Sequence, residues 1–421
     1  MLSAVRSVWA LLFGVALLML GNGLQGSLLG LRASLEGFGT GVTGIVMSAY
    51  FIGLLFGAAI TPRLVLRVGH IRVFAALASL ASAFVLLHAV FLTAPVWFII
   101  RLVTGFCFSG LYVVAESWLN QASTNETRGK LLSIYMVISY ASMAFGQLLL
   151  NVADPAGFPL FILISVLVSL ALVPISLTRT FAPQIETPEA ISLKQLYHLS
   201  PMGFIGCLLS GFALGAFFGM GAVYGKLSGF SVAQLSVLLS LPLLGLVLFQ
   251  FPIGALSDRF DRRLILCITA FLSTVLALVC IVAFGYSFFA ISLSFAVFGG
   301  ISIPIYSLSI AHTNDNLNLD QMLEASSKLV FVFGLGSVFG PLTAGLAMDL
   351  FGPQAFFVYL AAIYAFIGFF GLYRMTQRET VPIEERGDFV LVAPRASHVA
   401  TLAAVEYAEE DSHRITGEED D

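Results

Sequence analysis

The chain has 421 residues, of which 58% are hydrophobic and only 10% are charged, with a net charge of -4 and a mean hydropathy of +0.96. A soluble domain carries roughly 25% charged residues and has no means of burying many uncharged runs of about 20 residues each, so that class is excluded. Basic patches interleaved with aromatics are missing, which sets nucleic-acid binding aside, and the four cysteines (Cys107, Cys207, Cys267, Cys280) sit in apolar runs without metal or redox spacing.

Taken in order, Arg6 precedes an apolar run from Val8 to Leu31. That run is too long for a secretory signal and no small-residue cleavage site closes it, so a retained first helix is expected. Further spans are predicted at 44–66, 71–92, 95–118, 130–152 and 158–178, then at 202–225, 233–256, 263–284, 286–309, 325–347 and 353–374. Each is long enough, at about 1.5 Å per residue, to cross the hydrocarbon layer. The stretch 263–309 is divided at Gly285.

Topology follows from the placement of Arg and Lys. With the N-terminus inside, seventeen basic residues fall on the cytoplasmic side, and only Arg32 and Lys226 fall outside. Both termini are therefore expected in the cytoplasm. From Met375 onward the chain has twelve acidic and four basic residues, a composition that reads as a solvated, disordered tail. Within it, Phe389 to Ala393 is an apolar patch suited to a short ordered contact.

An internal repeat underlies this order. A shift of 192 residues lays LRVGHIR, Leu66 to Arg72, on DRFDRRL, Asp258 to Leu264; each lies between the second and third helices of its half. The predicted fold class is thus an all-α integral membrane protein with twelve transmembrane helices in two six-helix bundles, 1–178 and 200–374, around a central cavity. A polar cytoplasmic connector, 179–199, joins them, and 375–421 is the tail.

Polar residues within the spans are the candidates for function. Arg101, Gly105, Ser109, Tyr112 and Glu116 fall within about 80° of one face of the fourth helix. A buried arginine is costly against lipid, so Arg101 is expected to face a cavity or a partner and to handle substrate or protons. Glu116 lies about 22 Å further along and is read as a cytoplasmic gate contact. Asn22 and Gln25, flanked by glycines near mid-membrane in the first helix, offer neutral donors and acceptors to a polar ligand. Tyr140 and Gln147 share a face of the fifth helix. Gly211, Gly215 and Gly219 form a ridge on the seventh for close helix contact, and Tyr224 and Lys226 stand at its outer mouth. Tyr140, Gln147, Tyr224 and Gln250, with Tyr112, complete the candidate pathway. Glu324 and Lys328 are spaced for a local pair. No nucleophile elbow, Walker loop, metal-spaced set or dinucleotide fingerprint is present; neither an enzyme nor a cofactor is expected, and a solute or ion gradient is left as the energy source.

The short basic loop GALSDRFDRR, Gly254 to Arg263, resembles the signature of the major facilitator superfamily between the second and third helices of a half, with Asp261 where that signature usually has glycine. The resemblance implies that Asp258 holds a cytoplasmic gate, supported by Gly254, Arg259, Arg262 and Arg263. The first-half copy, AITPRLVLRVGHIRVF, keeps Arg67 and Gly69 but has Leu66 in the aspartate's place. RLVTG, Arg101 to Gly105, is similar to the helix-four signature whose arginine is linked to proton transfer. GSVFGPLTAG, Gly336 to Gly345, resembles a glycine–proline packing motif, although on helix eleven. GLYVVAESWLN, Gly110 to Asn120, and LLGLRASLEGF, Leu28 to Phe38, are similar to the YcaD-type bacterial branch. The resemblance implies alternating access by a monomer in the bacterial inner membrane, moving a small organic solute with proton coupling, export favoured over uptake. A flippase of lipids or amphiphiles and a non-transporting sensor or scaffold stay open as alternatives.

Overall fold

The computed structural model describes residues 2–177, 192–315, 317, 319–377 and 389. Most of the predicted connector (178–191) and the tail beyond Gln377 apart from Phe389 lie outside the described residues, as does the side chain of Glu324, half of the predicted pair with Lys328. The helices are α1 (Leu2–Leu35), α2 (Thr40–Val68), α3 (His70–Val90), α4 (Ala94–Gln121), α5 (Asn125–Leu148), α6 (Pro159–Ser176), α7 (Leu193–Leu199), α8 (Pro201–Leu227), α9 (Val232–Arg259), α10 (Arg262–Phe284), α11 (Phe288–Ser302), α12 (Ile305–Asn314), α13 (Leu319–Phe351) and α14 (Ala355–Met375). Among the described residues, twelve segments of 18 to 29 residues are apolar enough to cross a membrane. The protein is all-α, with α1–α6 and α8–α14 forming two bundles.

Local chemistry sets the helix ends. Ser231 and Gln234 make a reciprocal capping box at the start of α9, and Ser192 and Gln195 do the same for α7, each satisfying orphan backbone N–H groups. The predicted tenth span is interrupted: α11 stops at Ser302 and α12 resumes at Ile305. Pro304 stands in the gap, where it lacks an N–H and its ring collides with the preceding turn. On α10, Ile268, Leu272, Val275, Val279 and Val282 are exposed at alternating spacings of four and three, the stripe of a helix facing lipid.

Glycines bring the helices unusually close. A Cβ added at Gly53 or Gly105 would collide with the Leu102 or the Tyr50 carbonyl oxygen respectively, and at Gly57 it would lie 2.5 Å from the Phe106 oxygen. The α2–α4 crossing is therefore backbone on backbone. The Gly211–Gly215 part of the predicted ridge on α8 packs against Phe333 and Ser337 of α13, while Gly336 and Gly340 of α13 pack back against Leu208 and Phe212. Gly105→Val is expected to break the first crossing. The added carbon would stand 2.9 Å from the Tyr50 carbonyl carbon, and both helices are held within one bundle, so the penalty exceeds the ~1–3 kcal/mol of ordinary overpacking. The check is thermal unfolding of the purified protein: a Tm equal to that of the parent protein would refute the crossing.

The face at which α1 begins and α14 ends is called here the terminal face, and its opposite the distal face. The two bundles meet closely toward the distal face. Gly44 of α2 abuts the Pro341 carbonyl of α13, and a Cβ at Gly345 would lie 2.6 Å from the Thr40 oxygen. Thr40 donates to Asp349 (3.0 Å), Asn151 donates to Ser236 of α9 (2.7 Å), and Ser240 donates to the Ala144 carbonyl (2.9 Å). One hydrophobic cluster runs across both bundles, from Tyr112 and Tyr140 to Tyr306 and Phe333. A second stays inside the C-terminal bundle around Phe295 and Phe356.

Candidate functional site

Among the described residues, helices of both bundles line two cavities. The larger has about 620 Å³ of empty space, part of it open to solvent, and its walls come from α2, α4, α8 and α13: Phe51, Leu54, Ser109, Tyr112, Leu214, Phe218 and Phe333 among them. The smaller, about 320 Å³, is a recess between α1, α5, α8 and α9, lined by Asn22, Ser27, Met143, Gln147, Phe217, Phe218 and neighbours. Phe218 lines both. So does, in effect, one hydrogen bond: the Asn22 amide in the recess donates to the Tyr112 hydroxyl in the chamber. Asn22 also donates to the Tyr50 hydroxyl (3.2 Å), so three helices converge on one amide.

Tyr50 was not singled out from the sequence. The available signal was its hydroxyl: a tyrosine in an apolar span needs a hydrogen-bond partner, and Asn22 is the residue that supplies it. The Arg101 guanidinium carbon stands 4.2 Å from the centroid of the Tyr50 ring, a cation–π arrangement. Arg101 is buried and does not line either cavity; it backs the wall that Tyr50 helps to build. The α2–α4 glycine crossing is what fixes this stack, because Gly105, one turn beyond Arg101, rests on the Tyr50 backbone.

The other pathway candidates divide. Gln147 lines the recess, and its buried carbonyl oxygen has no protein hydrogen-bond partner. Gln25 and Gln250 are buried with both amide atoms unpartnered by protein, yet they line neither cavity. Tyr140 is buried on α5, also outside both linings. Tyr224, expected at an outer mouth, is buried inside the α8–α14 seam, where it stacks on Phe356 (centroids 5.2 Å apart) and meets Phe357 edge-on (5.0 Å). The apolar faces of its ring are matched there by aromatic partners.

At the terminal face the repeat carries different chemistry in its two copies. Arg262 bridges Asp258 (2.9 Å) and Asp315 (2.6 Å) and donates to the Ala311 carbonyl (3.3 Å), tying the start of α10 to the end of α12. The position 192 residues earlier is His70, whose ring nitrogen lies 3.3 Å from the Ser117 hydroxyl of α4. Both contacts join the third helix of a half to its fourth, by an ion pair in one copy and a neutral hydrogen bond in the other. Gly69 and Asp261 are likewise equivalent. Gly69 has φ +86°, which favours glycine, whereas Asp261 has φ -58° and accepts from the Arg263 N–H as the cap of α10. The missing glycine in the second copy is explained by its ordinary backbone.

The remaining gate candidates surround this network. Arg263 pairs with Asp261 at 3.3 Å, while Arg67 and Arg259 are exposed. Glu116 is buried and accepts a hydrogen bond from Tyr135 of α5 (2.7 Å). Phe389 reaches the same loop: its N–H donates to Asp258 (2.9 Å), and a Cβ at Gly254 would lie 2.5 Å from its ring. Among the described residues, no group of His, Cys, Asp and Glu is placed to hold a metal ion.

Two helical bundles that enclose cavities at their seam and cross a membrane twelve times define a secondary transporter. The chain belongs to the Major Facilitator Superfamily, whose family model matches residues 11–238 and 204–401; it is a transporter rather than an enzyme. It is 27% identical over 380 residues to the uncharacterised MFS-type transporter YcaD of Escherichia fergusonii, covering 90% of this chain and 98% of that protein. The uncharacterised MFS-type transporter Ent638_1421 of Enterobacter sp. (strain 638) is 27% identical over 384 residues, with the same coverages. A crystal structure of a mutant of the nucleoside transporter NupG matches the fold with a TM-score of 0.73 at 14% identity, over 87% of this chain and 99% of that one. The transporter FucP, in the outward conformation, gives 0.55 at 15% identity over 88% and 99%.

Proposed function

We propose that the chain moves a small organic solute across a bacterial inner membrane by alternating access, as a monomer, coupled to protons and in the export direction. The observation that carries this reading is the position of both cavities at the seam of the two bundles, which, among the described residues, approach backbone to backbone toward the distal face. A rocking of one bundle against the other opens such a site to each side in turn. With seventeen basic residues on its side by the sequence count, the terminal face is the cytoplasmic one. In this reading the observed state is closed toward the outside.

Arg101 modulates the proton site from behind the cavity wall, through its stack on Tyr50. The guanidinium stays charged, and its stacking on Tyr50 links the Asn22 hydrogen bonds to the local field. Asp258, Arg262 and Asp315 hold the cytoplasmic end of the C-terminal bundle, with Glu116 serving the other half. The test is solute-evoked proton movement in proteoliposomes carrying a pH-sensitive dye. A solute that alkalinises or acidifies the lumen in the parent protein, and fails to do so in Arg101→Ala, is the expected result. Solute flux that ignores an imposed pH gradient would remove the coupling and leave transport standing. An absence of flux across a broad solute panel would overturn the transport reading itself.

A further inference from the structure

The chemistry of the cavity walls defines a class of ligand. Among the described residues lining the chamber and the recess there is no Asp, Glu, Lys, Arg or His. The two buried charges of α4 are turned to other work: Arg101 stacks on Tyr50, and Glu116 accepts from Tyr135. A charged head group placed in the recess would lose its hydration without gaining an ion-pair partner.

The recess does offer neutral hydrogen bonding. Gln147 is 5% exposed, lines the recess, and holds out a buried carbonyl oxygen with no protein donor. Such an acceptor calls for an O–H or N–H from a ligand. Asn22, with its two tyrosine contacts, and Ser27 stand beside it. The chamber on the other side of Phe218 is walled by Phe51, Leu54, Leu214 and Phe333, which suits an apolar ring or short chain.

We propose that the site takes an uncharged, soluble amphiphile: its apolar part lies in the chamber and its hydroxyl- or amide-bearing head donates to Gln147 in the recess. The Asn22 amide exchanges its bond to Tyr112 for one to the ligand head as the two spaces join around Phe218. The movement of this ligand across the membrane rests on the transport reading; its binding rests on the cavities alone.

The experiment uses three probes that share a hexyl tail: hexyl β-glucoside, hexyl sulfate and hexyltrimethylammonium. Binding to the full chain in lipid nanodiscs is measured by calorimetry below the probes' micelle-forming concentrations, with empty nanodiscs subtracted. Counterflow of labelled glucoside is followed in proteoliposomes. The glucoside is expected to bind at least about tenfold more tightly than either ion, and Gln147→Leu to weaken it about tenfold, the loss of one buried hydrogen bond. Gln147→Glu is expected to move the preference to the cation. Equal or tighter binding of a charged probe, no saturable glucoside binding, or an unchanged affinity in both Gln147 variants would overturn the proposal. Selective glucoside binding without counterflow would leave it standing and overturn the transport reading instead.

Discussion

Arg262→Met is expected to destabilise the protein by about 3–5 kcal/mol, read as a fall in the Tm of the purified protein. The guanidinium and the Asp315 carboxylate are 3% and 5% exposed, and they meet at 2.6 Å. Removing the cation takes the Arg262 counter-charge from a buried carboxylate, which costs more than the pair contributes when intact. Asp258 is 33% exposed and is cushioned by solvent. The expected effect therefore comes from Asp315, and Asp258→Asn should be much milder. Arg262→Met combined with Asp315→Leu replaces both charges with apolar groups and is expected to recover most of the loss. A double variant as unstable as the single one would show that the contact matters for its geometry rather than its charge.

The second large effect is conformational. Gly44→Leu is expected to shift the protein from its distally closed state toward one open at that face. An added Cβ at Gly44 would stand 3.1 Å from the Pro341 carbonyl carbon and collide with its oxygen, and a leucine extends further. Because α2 and α13 belong to different bundles, the clash is relieved by parting the bundles without unfolding either. An overpacking penalty of about 1–3 kcal/mol, carried by the closed state alone, changes the ratio of states by roughly ten- to a hundredfold. Met47 is fully buried in this seam, close to the Gly219 position on α8. Met47→Cys then serves as a reporter, since the native cysteines are all buried. Maleimide labelling of that cysteine should rise at least about tenfold when Gly44→Leu is added. Unchanged labelling would mean that the seam does not open as a unit.

Much of the site was legible in residue types. An amide or hydroxyl in an apolar span demands a partner, and Asn22, Tyr112 and Gln147 all stand at the cavities. Arg101 illustrates the limit. Its burial is dictated by the cost of charge in lipid, but whether it faces a cavity or a neighbouring ring depends on how α2 crosses α4. Tyr224 makes the same point in reverse, since a tyrosine near a helix end serves a mouth or a seam equally well. These helices are apolar on nearly every side, so no amphipathic stripe marks the face turned toward the other bundle.

The sequence by itself determined the number of spans, the two-fold repeat and the family. Hydrocarbon admits only long apolar helices whose backbone groups bond internally, and that demand is written residue by residue. It also marked the Gly69–Asp261 difference, which became intelligible once the two backbone angles were known. Tertiary structure alone decided that Asn22 meets Tyr50 and Tyr112, that Arg101 stands behind the wall, and that α2 and α13 close the distal face. Such outcomes depend on helix rotation and close approach, where glycines let backbones touch and thereby select which few polar atoms share a space.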